Sequence, residues 1–140
     1  MLVRAMISGD RAEWLRMRRA LWPECSDERH ALEIEQFDAS GGVVLFAERD
    51  DASLCGFVEV SIRHDHVDGA ASAPIAYVEG WYVDADARGC GVGRELLAGG
   101  EEWAREGGFR EIASDAELED AQSIRAHVAC GYRETCRAVH

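Results

Sequence analysis

The chain has 140 residues, 47% of them hydrophobic and 30% charged, which is the composition of an ordinary globular protein and the length of one domain, 1–140, with its own core. The formal net charge of −12 argues against nucleic acid, whose phosphates the chain would repel, and suits either a polycationic partner or plain solubility. There is no apolar run of about 18 residues to span a membrane. The five cysteines, at 25, 55, 90, 130 and 136, include no Cys-x-x-Cys pair and suggest neither a disulfide framework nor a zinc knuckle.

Residues 2–6 read as a short strand. Asp10, Arg11 and Glu13 interrupt any apolar stretch there, so no signal peptide is expected and the cytoplasm is the expected location. Ser8-Gly9-Asp10 can cap a helix over about 11–21, with Trp14, Leu15, Met17 or Arg18, and Leu21 at helical spacing, and Pro23 ends it. A second helix runs from Asp27 to about Ala39, with Ala31, Leu32, Ile34 and Phe37 as its apolar set. Two strands then meet in a hairpin at residues 50–53, with Val44, Phe46, Phe57 and Val60 at apolar positions. A polar loop leads to a long strand, IAYVEGWYV (75–83).

A helix to about Glu106 follows, with Val92, Leu96, Leu97, Trp103 and Ala104 inward. Gly99 and Gly100 inside it cost about 1 kcal/mol each against alanine, so either something packs closely there or the helix is soft. REIASD (110–115) reads as a strand, residues 120–131 as a helix capped by Asp120 and closed by Gly131, and residues 132–139 as a last strand. The order β-α-α-β-β-β-α-β-α-β predicts an α/β fold with a mixed sheet, antiparallel first and then one crossover through a helix.

Between the long strand and its helix stands VDADARGCGVGRELL (83–97). A Walker loop needs a lysine followed by serine or threonine, and neither is in place. A dinucleotide turn needs glycine three residues after Gly91, where Arg94 stands. The pattern that remains is R-x-x-G-x-G at Arg88, Gly91 and Gly93. Backbone N–H groups of such a turn and of the helix start converge on one concavity and bind a pyrophosphate without metal or lysine. A β-to-α turn with no ligand is the alternative.

Arg88-x-x-Gly91-x-Gly93 after the strand resembles the acetyl-coenzyme A motif of the GNAT superfamily of N-acetyltransferases, and the element order matches that family across nearly the whole chain. Within it the sequence looks like the aminoglycoside 6′-N-acetyltransferases, on LWP (21–23), SIRHDHVDG (61–69), VEGWYV (78–83), ASD (113–115) and RAHVACGY (125–132). The resemblance implies a GNAT fold in which the strands ending near Val83 and Asp115 splay apart around a thioester. It implies that the backbone of Trp81, Tyr82 and Val83 runs along the pantetheine arm, with one N–H polarising the thioester carbonyl. The turn formed by Arg88, Gly89, Cys90, Gly91, Val92, Gly93 and Arg94 would hold the pyrophosphate. Acetyl-CoA is then the cosubstrate, and no metal is expected.

Acetyl transfer needs a neutral amine, whereas amines near pH 7 are mostly ammonium; a nearby carboxylate binds the cation and takes its proton, directly or through water. Glu79, beside Gly80, and Asp115 sit at carboxyl ends of neighbouring strands, where ligands of open α/β sheets bind. The resemblance places both in an aminoglycoside pocket, and which of them is the base stays open. GNAT enzymes often carry a tyrosine four residues before the closing glycine of the last helix. His127 stands there, as an acid for the leaving thiolate or as a surface histidine, and Tyr132 after the glycine reads as core.

Trp22 before Pro23 matches a position bordering the sugar, or else is a core tryptophan. His66 lies in a loop that the family uses for substrate contact, sometimes across a dimer, and Glu134 adds to the acidic pocket. His64, Asp65 and His66 alternate in direction along a strand end and make a poor chelate. The family usually continues past the point reached by His140, often into its dimer contact. The implied protein is a cytoplasmic homodimer that acetylates the 6′-amine of aminoglycosides and so confers antibiotic resistance. The alternatives are a GNAT acting on another polyamine, an amino sugar or a protein N-terminus, or a non-catalytic acyl-CoA binder.

Overall fold

The structure, a computed structural model, describes residues 1–65, 67, 69–116 and 121–134. Its elements are β1 (Leu2–Ala5), α1 (Arg11–Leu21), α2 (Asp27–Asp38), β2 (Val43–Glu48), β3 (Leu54–Arg63), β4 (Ile75–Val83), a 3₁₀ turn (Ala85–Ala87), α3 (Val92–Glu106), β5 (Ile112–Ser114) and α4 (Ala121–Ala129). The predicted order holds through the last helix. The final strand, expected over 132–139, lies mostly outside the described residues, as does the expected cap Asp120; residues 132–134 are irregular.

The strands form one mixed sheet in sequential order. β1, β2, β3 and β4 pair antiparallel, and α3 carries the chain across one face to β5, parallel to β4. On that face Val92, Leu96, Leu97 and Ala104 of α3 pack on Val58, Val60, Ala76 and Val78. The Gly99-Gly100 pair is explained by close packing. A β-carbon on Gly100 would lie 3.0 Å from Val60 Cγ2, and one on Gly99 would lie 3.0 Å from Leu45 Cδ1.

On the other face Trp14, Met17 and Ile34 close over Val44, Phe46, Leu54 and Phe57. Each fully buried side chain of this size contributes about 1.5–3 kcal/mol. Among the described residues no helix is long and apolar enough to cross a membrane.

Two local expectations are corrected. Asp10 stands at the N-cap of α1 but makes no side-chain cap; its carboxylate accepts from Ile7 N–H and from Arg4 instead. In α2 the buried residues are His30 and Ile34, with Phe37 packed against the core, while Ala31 and Leu32 are exposed. A polar partner inside the protein, Arg18, holds His30 inward and rotates the helix away from its apolar count.

Two features of β4 build the site. Its parallel pairing is short, with Ala76, Tyr77 and Val78 opposite Ile112, Ala113 and Ser114. Past Val78, β4 runs on to Val83 while β5 has ended, and the sheet opens at the carboxyl end of both strands. On the other side Glu59 faces Gly80 and Val60 faces Val78, so Glu79 is the extra residue of a β-bulge. The bulge puts Glu79 and Gly80 on the same face, that of α1 and α2.

Candidate active site

Alternation along β3 and β4 brings Ser61, Arg63, Tyr77 and Glu79 together on that face. Glu79 Oε1 accepts from Ser61 Oγ at 2.7 Å and from Arg63 Nε at 2.9 Å, and Oε2 accepts from the terminal Arg63 nitrogen at 2.9 Å. The Arg63 guanidinium lies 3.8 Å above the centre of the Tyr77 ring. The Tyr77 hydroxyl donates to Asp115 at 2.8 Å, and burial, then the Asp115 hydrogen bond, pushes that phenol well above its usual range. Glu79 and Asp115 are thus joined through Arg63 and Tyr77 along one wall of the opening. Asp115 is exposed and Glu79 half-buried.

Trp22 borders this wall. A β-carbon on Gly80 would come within 2.7 Å of Trp22 Cη2, so the bulge glycine gives the indole its seat. Behind it lies a buried ionic cluster. Arg18 donates to Glu59, to Glu33 and to His30 Nδ1, and Trp14 Nε1 donates to Glu59 at 2.8 Å. Burial pushes the Glu59 carboxyl up, against the pull of Arg18 and Trp14. Arg18 also lies 4.6 Å from the Trp22 ring centre. Cys25, His30 and Glu33 bring donor atoms within 4.8 Å of one another, but the Arg18 guanidinium already engages His30 Nδ1 and Glu33. His64 and Asp65 are exposed, and His66 lies outside the described residues.

His127 sits on the opposite face of the opening. Its Nδ1 is 2.7 Å from the Ser123 carbonyl oxygen, which only accepts, so Nδ1 carries hydrogen. In the neutral ring Nε2 then accepts from Ser114 Oγ at 2.7 Å. Trp81 and Tyr132 meet the imidazole edge-on, at 5.0 and 5.7 Å between ring centres. His127 is therefore enclosed by partners, and its line to the opening runs through Ser114, the last residue of β5. Tyr132 packs against the core, as expected. Glu134 is exposed.

The glycine turn enters α3 as read. Gly89 and Gly91 have φ of +80° and +84°, values that side chains disfavour, and a β-carbon on either would meet no protein atom. Gly91 is the N-cap of a 15-residue helix with no side-chain cap. The N–H groups of Val92, Gly93 and Arg94 thus begin a long helix beneath open space, which fits a pyrophosphate. Buried Val92 and the bond from Trp81 Nε1 to the Gly93 carbonyl at 2.9 Å seat the helix start on β4. Exposed Cys90 lies between the glycines.

Arg88 Nε donates to the Val83 carbonyl at 2.9 Å, and Arg94 donates to the Ala129 carbonyl at 3.2 Å. Upstream, Asp84 accepts from Arg16 and from the Tyr82 hydroxyl. Burial pushes its carboxyl up, but these bonds outweigh that and hold it below the usual range. The segment entering the turn is thereby fixed to α1.

Sequence reading singled out Glu79, Asp115, Trp22 and the turn as candidates. It did not single out Ser61, Arg63, Tyr77 and Ser114, which the structure places beside them. Their common signal is strand alternation, which names a shared face only after the register between strands is known.

The model of the Acetyltransferase (GNAT) family matches residues 11–132. The chain is 44% identical over 138 residues, 99% of its length and 90% of the relative's, to an aminoglycoside N(6′)-acetyltransferase type 1 of Stenotrophomonas maltophilia. The apo aminoglycoside 6′-N-acetyltransferase AAC(6′)-IG of Acinetobacter haemolyticus superposes with a TM-score of 0.92 at 31% identity, covering 100% of this chain and 96% of that one. The structure of AAC(6′)-Iy with the bisubstrate analogue CoA-S-monomethyl-acetylneamine gives a TM-score of 0.92 at 33% identity, covering 99% and 95%.

Proposed function

The chain belongs to the GNAT acetyltransferase family, and from that premise we propose that it transfers the acetyl group of acetyl-CoA to the 6′-amine of an aminoglycoside. The wall on which Glu79 and Asp115 lie together, where β4 and β5 part, carries this reading. The choice of the 6′ position rests on the likeness to the relatives.

Acetyl-CoA supplies the acetyl group activated as a thioester. The glycine turn and the first N–H groups of α3 hold its pyrophosphate, and the β4 backbone from Trp81 to Val83 lines its arm. A β4 N–H facing the opening polarises the carbonyl under attack. Glu79 binds the ammonium and takes its proton, directly or through water. Asp115 binds a further ammonium, and Trp22, Glu134 and His66 contact the sugar.

The amine comes from the α1/α2 face and the thiolate leaves toward the α3/α4 face. There, with hydrogen on both ring nitrogens of His127, Nε2–H gives its proton to Ser114 Oγ as that hydroxyl gives its own to the sulfur, and the ring is left neutral. Acetylation removes a positive charge by which the drug holds anionic RNA, and the result is resistance. In this reading the enzyme works in the cytoplasm as a homodimer, and sedimentation as a monomer at micromolar concentration would remove the second part.

Free thiol release with kanamycin, tobramycin and spermidine tests the proposal. Turnover of the drugs above that of spermidine is expected. Turnover of spermidine alone overturns the aminoglycoside assignment, and CoA binding with no turnover of any amine overturns the enzyme.

A further inference from the structure

We propose that Arg63 is a resident stand-in for the substrate's ammonium group and thereby sets selectivity for polycations; this deepens the reading of the acidic wall given above and rests on it. The guanidinium makes the contacts that an incoming ammonium needs. It has a carboxylate on one side at 2.9 Å through both donors, an aromatic face 3.8 Å below, and a second carboxylate, Asp115, beyond the same ring. With Ser61 also on Oε1, Glu79 is engaged by three donors before any substrate arrives. These fill three of the carboxylate's about four acceptor sites, and the Arg63 guanidinium already sets against Glu79 the positive charge that an ammonium would bring.

Arg63 is the donor able to leave. Ser61 is short and lies inside β3, two residues before its end, whereas Arg63 is the last residue of the strand. Its side chain is 44% exposed against 29% for Glu79, and the following residues His64 and Asp65 are exposed. A guanidinium so placed swings into water with little loss, because a partly exposed ion pair and a surface cation–π contact each hold by a factor of only about two to five. A monocation exchanges one such contact set for another and gains little. A polycation reaches Glu79 and Asp115 together, so it alone gains clearly from expelling Arg63.

The test is Arg63→Met, which keeps an apolar stem over Tyr77 and removes the charge. KM for kanamycin, and its Kd by calorimetry with CoA present, should fall about fivefold with kcat unchanged within about twofold. Glucosamine, a monocation, should gain at least as much, narrowing the preference for the drug, whereas the polycation spermidine should shift in step with kanamycin. An unchanged or raised Kd overturns the stand-in role, and so does a fall in kcat of about tenfold at constant KM, which would make Arg63 a positioning residue for Glu79. Arg63→Lys keeps the charge without the fork and should lie between; it carries the test if the methionine variant does not fold. If the wild type turns over no amine, the enzymatic reading fails, while calorimetry still decides what Arg63 does.

Discussion

Replacing Glu79 with glutamine keeps the volume of the side chain and its bond from Ser61 but removes the charge. A carboxylate about 4 Å from an ammonium contributes about 4 kcal/mol at an effective dielectric near 20. In the free protein that charge is already paired with Arg63, across side chains 29% and 44% exposed, and a pair so exposed contributes only about 0.2–1 kcal/mol. Exchanging Arg63 for one substrate ammonium therefore gains little by itself, and the drop on removing the charge comes chiefly from lost proton transfer, worth about 10²–10⁴. Glu79→Gln should lower kcat/KM for kanamycin at least about tenfold, measured by thiol release at limiting drug, with the KM for acetyl-CoA unchanged. A kcat/KM equal to that of the wild type removes Glu79 from the site and refutes the argument from the wall.

Gly80→Ala drives a β-carbon to 2.7 Å from Trp22 Cη2; KM for the drug should rise about fivefold or more while CoA affinity stays constant, and an unchanged KM frees Trp22 from substrate contact. Ser114→Ala breaks the line from His127 to the opening, so kcat should fall about 10- to 100-fold at constant KM, with the Ser114→Ala/His127→Ala double variant no slower than the slower single one. Additive losses would mean the two groups act separately. The Asp10 carboxyl is held below the usual range by the Arg4 hydrogen bonds, against burial and with help from Ile7 N–H. Its contribution is therefore present above the unfolded-chain value near 4 and disappears as pH falls through the lower folded value. Asp10→Asn should lower Tm by about 8 °C at pH 7, for about 2 kcal/mol, and by progressively less below pH 4; a pH-independent loss would show that the charge is not what Arg4 needs.

The elements were legible because their signals are local. Pro23 after a periodic apolar stripe, the residues 50–53 between two β-rich runs, and Gly91 before a third stripe each act within a few residues, and the bounds of α1 and β4 came out as observed. α2 misled the count of apolar residues because His30 is buried by a residue from another helix. The same holds for Asp10, whose natural role as a cap is overridden by Arg4 from β1. In both places a charged partner distant in sequence outweighs the local preference.

By itself the sequence determined the glycine turn proposed for the donor's end of the site. The turn's glycines and the helix after them are contiguous, and the chemistry of a pyrophosphate cradle is that of consecutive backbone N–H groups. It also singled out Glu79 and Asp115, but placed both at strand ends, whereas only Asp115 follows the end of β5 and Glu79 lies in the middle of β4. Only the tertiary structure decided what surrounds the acids proposed for the acceptor's end. The bulge that turns Glu79 and Gly80 to one face depends on β4 slipping one residue against β3, and the opening depends on β5 ending at Ser114. Arg63 on Glu79, Tyr77 on Asp115 and Ser114 on His127 are contacts between strands or between strand and helix. Register is set by packing across the whole sheet, so no short stretch of sequence contains it.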